Sequence, residues 1–163
     1  MYSTTLGSNT KRWQSAVQLT DLVSANPKFI STDHERNFFI KSYQRSISYE
    51  ESMGNEDEDK YNLRMILIHI MGLTYDDFYG DVLLEALDSD SEIIRFAAIR
   101  SLGHIKYLKA SEKIASFIKC CHYNKKDDIE VHVAVMSIGN IGDPKHIPLL
   151  KMHTHHLRIQ EHH

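Results

Sequence analysis

The sequence has few of the residues that shape β-rich or disulfide-bonded proteins. Its 163 residues include 7 glycines and 3 prolines, which argues against long loops and against β architectures with many turns. The two cysteines, Cys120 and Cys121, are adjacent, so they are poorly placed to form a disulfide with each other. This cysteine usage suits a reducing compartment, and we therefore expect a cytoplasmic protein.

The sequence also lacks long apolar runs and a strong charge of either sign. The first residues contain no apolar stretch of the length that a secretory signal needs. The longest apolar run, Met65 to Leu73, is interrupted by His69 and is much shorter than the roughly 20 residues of a membrane-spanning helix. The formal net charge is −3, so composition predicts binding neither to nucleic acid nor to an anionic membrane.

What the sequence does have is an apolar pattern that occurs three times at helical spacing. The stretch IIRFAAIRSLGHI, residues 93–105, resembles IEVHVAVMSIGNI, residues 129–141. The three copies align on Gly72, Gly103 and Gly139, with steps of 31 and 36 residues. The apolar stripe of the middle copy is Ile94, Ala97, Ala98, Ser101, Leu102 and Ile105. Such a period indicates a solenoid, because one unit cannot bury its apolar face alone.

The pattern predicts an all-α fold, an α-solenoid or superhelix of about three stacked helical hairpins with terminal helices. Asp143 and Pro144 mark the start of the last helix. Asp33 is the expected cap of the helix before the first copy, with Arg36 at the position of a capping-box Glu. The single domain, 1–163, is divided into a capping helix (1–30), repeat units (35–74, 77–105, 109–141) and a terminal helix with a His-rich tail (144–163).

The stretch LLEALDSDSEIIRFAAIRSLGHI, residues 83–105, resembles a HEAT repeat of the short kind that is also found in bilin lyases. The shared features are an apolar first helix, a turn with Asp88 and Asp90, then Arg95 and the Leu102–Gly103 pair. In such repeats the turn Asp and the helical Arg form a ladder with neighbouring units, and small residues allow close helix approach. The resemblance covers roughly residues 35–150 and implies a stack of HEAT-like helical hairpins.

Helical geometry places a further set of residues on the side opposite the predicted core stripe. In a HEAT-like stack this side would line the concave surface, and apolar residues edged by Arg and Met are typical of a protein-binding strip. The candidate partner-binding residues are Met65, Ile68, His69, Phe96, Ile99, Arg100, His132 and Met136. The alternative is burial of these residues by the N-terminal helix, by tight curvature or by self-association.

The sequence contains no pattern of catalytic residues, and its histidines do not form a metal motif. Histidines crowd the C-terminus without a paired carboxylate, which predicts a solvated tail: His146, His153, His155, His156, His162 and His163. The helical histidines precede Ile70, Ile105 and Val133, so the His–Glu pairs of HEAT-like diiron hydroxylases are absent. We expect no enzyme activity, no catalytic residues, no cofactor and no metal.

Together these patterns predict a non-catalytic protein-binding module that uses the concave face of a short HEAT-like stack, as an inhibitor or immunity protein or as an adaptor. The expected partner is another protein, and a basic one would suit the acidic balance of the chain. Self-association is a further option. The alternative, which the resemblance suggests, is a chromophore (bilin) lyase-like enzyme or chaperone subunit, and a histidine-dependent metal protein is the third.

Overall fold

The computed structural model describes the backbone of residues 3–53, 58–122 and 129–160, and the side chains of residues 14–48, 63–120 and 129–153. The described residues form eight α-helices and four 3₁₀ helices, with no strand among them. The α-helices are α1 (Ser3–Ala25), α2 (Asp33–Met53), α3 (Glu58–Leu73), α4 (Gly80–Ala86), α5 (Glu92–His104), α6 (Ser111–His122), α7 (Ile129–Ile141) and α8 (Ile147–Gln160). The prediction of an all-α fold is confirmed.

The odd-numbered helices pack against one another in chain order. Helix α3 lies against α1 and α5, and α5 lies against α3 and α7. Each of α2, α4 and α6 packs against the odd helix that follows it, and α8 contacts α7. The chain is therefore a series of helical pairs in which the second helix of one pair contacts the second helix of the next.

The predicted apolar stripe of α5 lies in the core between these helices. Ile94, Ala98 and Leu102 have no exposed surface, and the other three members of the stripe are also buried. The same stripe positions near the ends of α3 and α7 are buried as well, for example Met71 and Ile138. Burial of each large aliphatic side chain contributes about 1.5–3 kcal/mol, so this stripe is what holds the helical pairs together.

The turns that follow α3, α5 and α7 repeat one backbone design. In each turn a residue with positive φ reverses the chain: Tyr75 at 54°, Lys106 at 53° and Gly142 at 76°. The next residue precedes a three-residue 3₁₀ helix, which leads directly into α4, α6 or α8. These turns are related by the same steps of 31 and 36 residues as the aligned glycines, so the repeat predicted from the apolar pattern is also present in the connections.

In these three turns, the residue that precedes the 3₁₀ helix binds the first turn of the previous even-numbered helix. The three pairs are Asp76 with Arg36 (2.7 Å), the Tyr107 hydroxyl with Asp81, and Asp143 with the Ser111 hydroxyl (2.8 Å). The hydrogen bonds from Tyr107 and Lys109 lower the pKa of Asp81, and those from Ser111 and the Lys145 N–H lower the pKa of Asp143. One side-chain contact therefore links each helical pair to the next at the same place.

Within the described residues, Arg95 does not form the Asp–Arg ladder that the HEAT resemblance implies. Arg95 Nη1 donates to the backbone carbonyls of Ser89 and Asp90, at 2.7 and 2.8 Å, so it closes the turn of its own unit. The turn carboxylate of Asp88 does reach the next unit, but its partner is Lys113 in α6, at 2.6 Å. The turn Asp88 therefore joins its unit to the next one, but through a lysine and not through Arg95.

The cap of α2 is Thr32, one residue before the predicted Asp33. The Glu35 N–H donates to Thr32 Oγ1 at 3.3 Å, and the Thr32 and Ser31 N–H groups donate to Glu35 Oε2 at 2.9 and 3.0 Å. This is a capping box, which requires a hydroxyl residue three positions before the Glu, and Thr32 meets that spacing whereas Asp33 does not. Asp143 is also a cap, because its Oδ1 accepts from the Lys145 N–H at 3.1 Å, but it caps the 3₁₀ helix Pro144–His146 that leads into α8.

Candidate partner-binding surface

The predicted partner-binding strip divides into buried, half-buried and exposed residues. Ile68 and Ile99 are 0% and 3% exposed, so their predicted place on an open surface is wrong. Met65, His69 and Phe96 are half-buried, whereas Arg100, His132 and Met136 are exposed.

The two isoleucines are buried because they lie where one odd-numbered helix packs against the next. A Cβ added at Gly72 of α3 would lie 2.5 Å from Ser101 Oγ of α5, and one added at Gly103 of α5 would lie 2.7 Å from the Ser137 Cα of α7. Ile68 and Ile99 each precede one of these glycines by four residues, so they share its side of the helix. The Ser101 hydroxyl also donates to the backbone carbonyl of Ile68 at 3.0 Å.

The exposed side of α5 is rotated by about one residue from the predicted strip. Ile93 and Arg100 are exposed, and the half-buried His104 follows at the same helical spacing. Next to this stripe lie His69 of α3 and Tyr75, whose ring stacks on the His104 ring with centroids 6.0 Å apart. We call these five residues the α3–α5 surface. Sequence reasoning missed Tyr75, Ile93 and His104, although a period of 3.6 residues counted from Arg100 would have found the last two.

Arg100 is the fixed positive charge of the α3–α5 surface. Burial lowers the pKa of His104, and the Arg100 charge lowers it further. The pKa of His69 is lowered by burial first, and then by the charges of Arg100 and His104. Since the ordinary histidine pKa is about 6.5, both rings are neutral at pH 7 and the positive charge of this surface is that of Arg100.

The Arg100 guanidinium forms no ion pair within the described side chains, which sets it apart from several other basic residues. Arg36 pairs with Asp76, Lys113 with Asp88 and Lys145 with Glu112. Those pairs tie the turns and the even-numbered helices together. Within the described side chains, by contrast, the exposed Arg100 has no such partner, and the exposed Ile93 lies two helical turns before it on the same side of α5.

A second apolar feature is a shallow pocket of about 150 Å³ where the end of α1 meets the start of α2. It is lined by Leu19, Phe29, Ile30, His34, Glu35, Phe38 and Phe39. Small-molecule sites usually measure about 300–1,000 Å³, so this pocket suits one side chain of a partner better than a large chromophore.

Two of the histidines predicted to form a solvated tail are buried instead. His146, the last residue of the 3₁₀ helix before α8, and His153 on α8 are 4% and 7% exposed. The side chains of His155, His156, His162 and His163 lie outside the described residues. Among the described side chains no group of three His, Cys, Asp or Glu residues is placed to hold a metal ion. None of the described helices has the length and apolar character of a membrane span.

No family model, curated protein or solved structure matches this chain. The likeness to HEAT repeats therefore stays a prediction that rests on the repeated sequence pattern.

Proposed function

We propose that this chain is a non-catalytic protein-binding module, built as a short HEAT-like solenoid, that binds another protein through the α3–α5 surface. An inhibitor or immunity protein and an adaptor are both roles of this kind. The observation that carries the proposal is the exposed Arg100, which forms no ion pair within the described side chains and shares its side of α5 with the exposed Ile93 and the half-buried His104.

The helix packing supports the solenoid part of the proposal. In solenoid proteins each unit contacts its neighbours, and the stacked second helices present one extended surface. Here α1, α3, α5 and α7 follow one another in this way, and the turns after the last three of them share one design. Small residues lie at both closely packed crossings, Gly72 with Ser101 and Gly103 with Ser137.

The composition of the α3–α5 surface supports protein binding and indicates the chemistry of the partner. Arginine and tyrosine are enriched at the energetic centres of protein interfaces. Arg100 can bind a carboxylate through two parallel hydrogen bonds, while the exposed Ile93 and Tyr75 offer apolar area on the same surface. The favoured partner segment therefore carries an Asp or Glu between apolar residues. The basic partner that the overall charge suggests would have to bind elsewhere on the chain.

The experiment that tests this function compares wild type with Arg100→Glu, using each as bait in a lysate of the source organism. Proteins retained by wild type and lost with Arg100→Glu are purified, and their affinity is measured by titration calorimetry. We expect a stoichiometric complex with wild type, and a dissociation constant at least about 30-fold higher for the variant, as at an interface hot spot.

The matched control is Arg45→Glu, which reverses an exposed charge on α2, a helix outside the α3–α5 surface. This variant should retain the partner, and thermal melts should show that all three proteins are folded. Equal binding by wild type and Arg100→Glu would contradict the proposal.

A further inference from the structure

The outer side of α7 repeats the helix-receiving side of α3 and α5. Gly72 receives Ser101 of α5, and Gly103 receives Ser137 of α7. The third glycine of the series, Gly139, has no described atom within 4 Å of an added Cβ, and it is exposed. The side of α3 and α5 that receives a helix is thus present a third time on α7, where no described helix lies against it.

Val135, four residues before Gly139, follows the same comparison. Val135 is half-buried, whereas its equivalents Ile68 and Ile99 are 0% and 3% exposed. Met136 is 56% exposed and Ile129, at the start of α7, is 73% exposed. We call His132, Val135, Met136 and Gly139 the terminal face. Val135 and Gly139 stand at the positions that a neighbouring helix covers in α3 and α5, whereas Met136 and His132 lie beside them at positions that in α5, as Arg100 and Phe96, are exposed or half-buried.

We infer that the terminal face binds the terminal face of a second copy of this chain, so that two α7 helices cross at Gly139. The first support is continuity with an existing interface, since the positions equivalent to Val135 and Gly139 already hold a helix in α3 and α5. The second is charge. A two-fold interface brings each residue close to its own copy, so a charged face would meet like charge. The terminal face carries no Asp, Glu, Lys or Arg.

A closed pair of two copies is favoured over a head-to-tail chain of many copies, because the α1 end of the stacked odd-numbered helices differs from the α7 end. Helix α1 covers α3 at that end, and its described exposed residues are mostly polar: Gln14, Ser15, Gln18, Asp21, Leu22, Ser24 and Ala25. A polar outer side is typical of a capping unit and offers little apolar area to a second terminal face. An interface that uses the same face on both copies closes at two chains.

This inference is independent of the proposed function, because the terminal face and the α3–α5 surface share no residue. Arg100→Glu should therefore leave the pairing of two copies unchanged, and a variant of Gly139 should still bind the partner protein through Arg100. Failure of one idea would not be mistaken for failure of the other.

The test is analytical ultracentrifugation of the 163-residue chain from low to high micromolar concentration, beside Gly139→Ala and Gly139→Leu. Gly139 is exposed in the single chain, so both variants should fold, and circular dichroism melts at low concentration verify this. We expect a dimer for wild type. The dissociation constant should rise with the size of the new side chain, by at least about 30-fold for Gly139→Leu, since it stands at the centre of the interface.

The control is Phe38→Glu, which charges an exposed residue at the α1–α2 end of the molecule and should leave the dimer intact. Three results would overturn the inference. They are a wild type that stays monomeric at the highest concentration, a dimer that Gly139→Leu does not weaken, and growth beyond two chains that Phe38→Glu abolishes. A helix of another protein as the true occupant would produce the first of these.

Discussion

Helices α5 and α7 have nearly the same sequence pattern, but only α5 has an odd-numbered helix on both sides. Position 99 of α5 is buried and its glycine, Gly103, lies against Ser137. The equivalent position 135 of α7 is half-buried and Gly139 is exposed. The pattern therefore specifies a surface able to receive a helix, and the presence of the next helix decides whether that surface becomes core.

The largest expected effect comes from placing a charge on the covered side of α5. Ile99→Asp should lower the free energy of unfolding by about 4 kcal/mol, because it combines lost apolar burial with an unpaired buried carboxylate. The same change at the exposed Met136 should cost about 0.5 kcal/mol or less. Urea unfolding followed by circular dichroism measures both. Similar losses for the two variants would mean that the uncovered side of α7 is core after all.

The next largest difference between α5 and α7 should come from replacing their equivalent glycines with alanine. Gly103→Ala places a Cβ 2.7 Å from the backbone of α7, so the helices must move apart, at a cost of about 2 kcal/mol. Gly139→Ala meets nothing and replaces a poor helix former, so it should stabilise a single chain by up to about 1 kcal/mol. Chemical unfolding at concentrations below the dimer dissociation constant gives both values. Opposite signs are the prediction, and equal signs would contradict it.

The turns permit a smaller test of the repeated backbone. Lys106 has a φ of 53°, a conformation that costs a residue with a side chain about 1–2 kcal/mol and that glycine adopts freely. After the greater freedom of glycine in the unfolded chain is subtracted, Lys106→Gly should stabilise by about 0.5 kcal/mol. Gly142→Ala, in the equivalent turn, should destabilise by about 1 kcal/mol. Paired thermal melts measure the difference, and a loss on Lys106→Gly would contradict the equivalence of the turns.

The smallest expected effect is the pH dependence of stability that comes from two histidines of the α3–α5 surface. The folded-state pKa values of His69 and His104 lie below the ordinary value of about 6.5, so the unfolded chain takes up protons first as the pH falls. The free energy of unfolding should therefore decrease from just above pH 6.5 down to the folded pKa values, and level off below them. Arg100→Gln should raise both pKa values in an NMR titration, and Arg45→Gln should not.

The sequence predicted the architecture well where a periodic apolar stripe decides it. The six-residue stripe of α5 is buried as expected, and the step sizes of the glycine series recur in the turns. Capping was harder to predict, because Thr32 and Asp33 are both good cap residues and only the position of Glu35 selects between them. The ladder expected from Arg95 failed for a similar reason, since two carbonyl groups of its own turn lie closer than any carboxylate.

The candidate site was predicted in part. Arg100 and Met136 are exposed as expected, but Ile68 and Ile99 are not. They are buried because the next odd-numbered helix packs against a side of α3 or α5 that is separate from the predicted core stripe. A helical wheel drawn for one helix cannot show which of these sides its neighbour takes. Tyr75 could not be found from the wheel at all, since it belongs to the turn after α3 and reaches His104 through the chain reversal at positive φ.

The contact of each odd-numbered helix with the next also has a consequence for folding kinetics. The surfaces that must meet are separated by 31 or 36 residues, and the entropy of closing such loops changes slowly with their length. Helical pairs can therefore add one after another, in either direction, at similar cost. At each step the last odd-numbered helix of a partly folded chain has no helix against its outer side. The outer side of α7 is still exposed in this way in the folded protein. Terminal-face contacts between native molecules would then resemble the contacts through which partly folded chains associate, and refolding yield should fall with protein concentration more steeply for wild type than for Gly139→Leu.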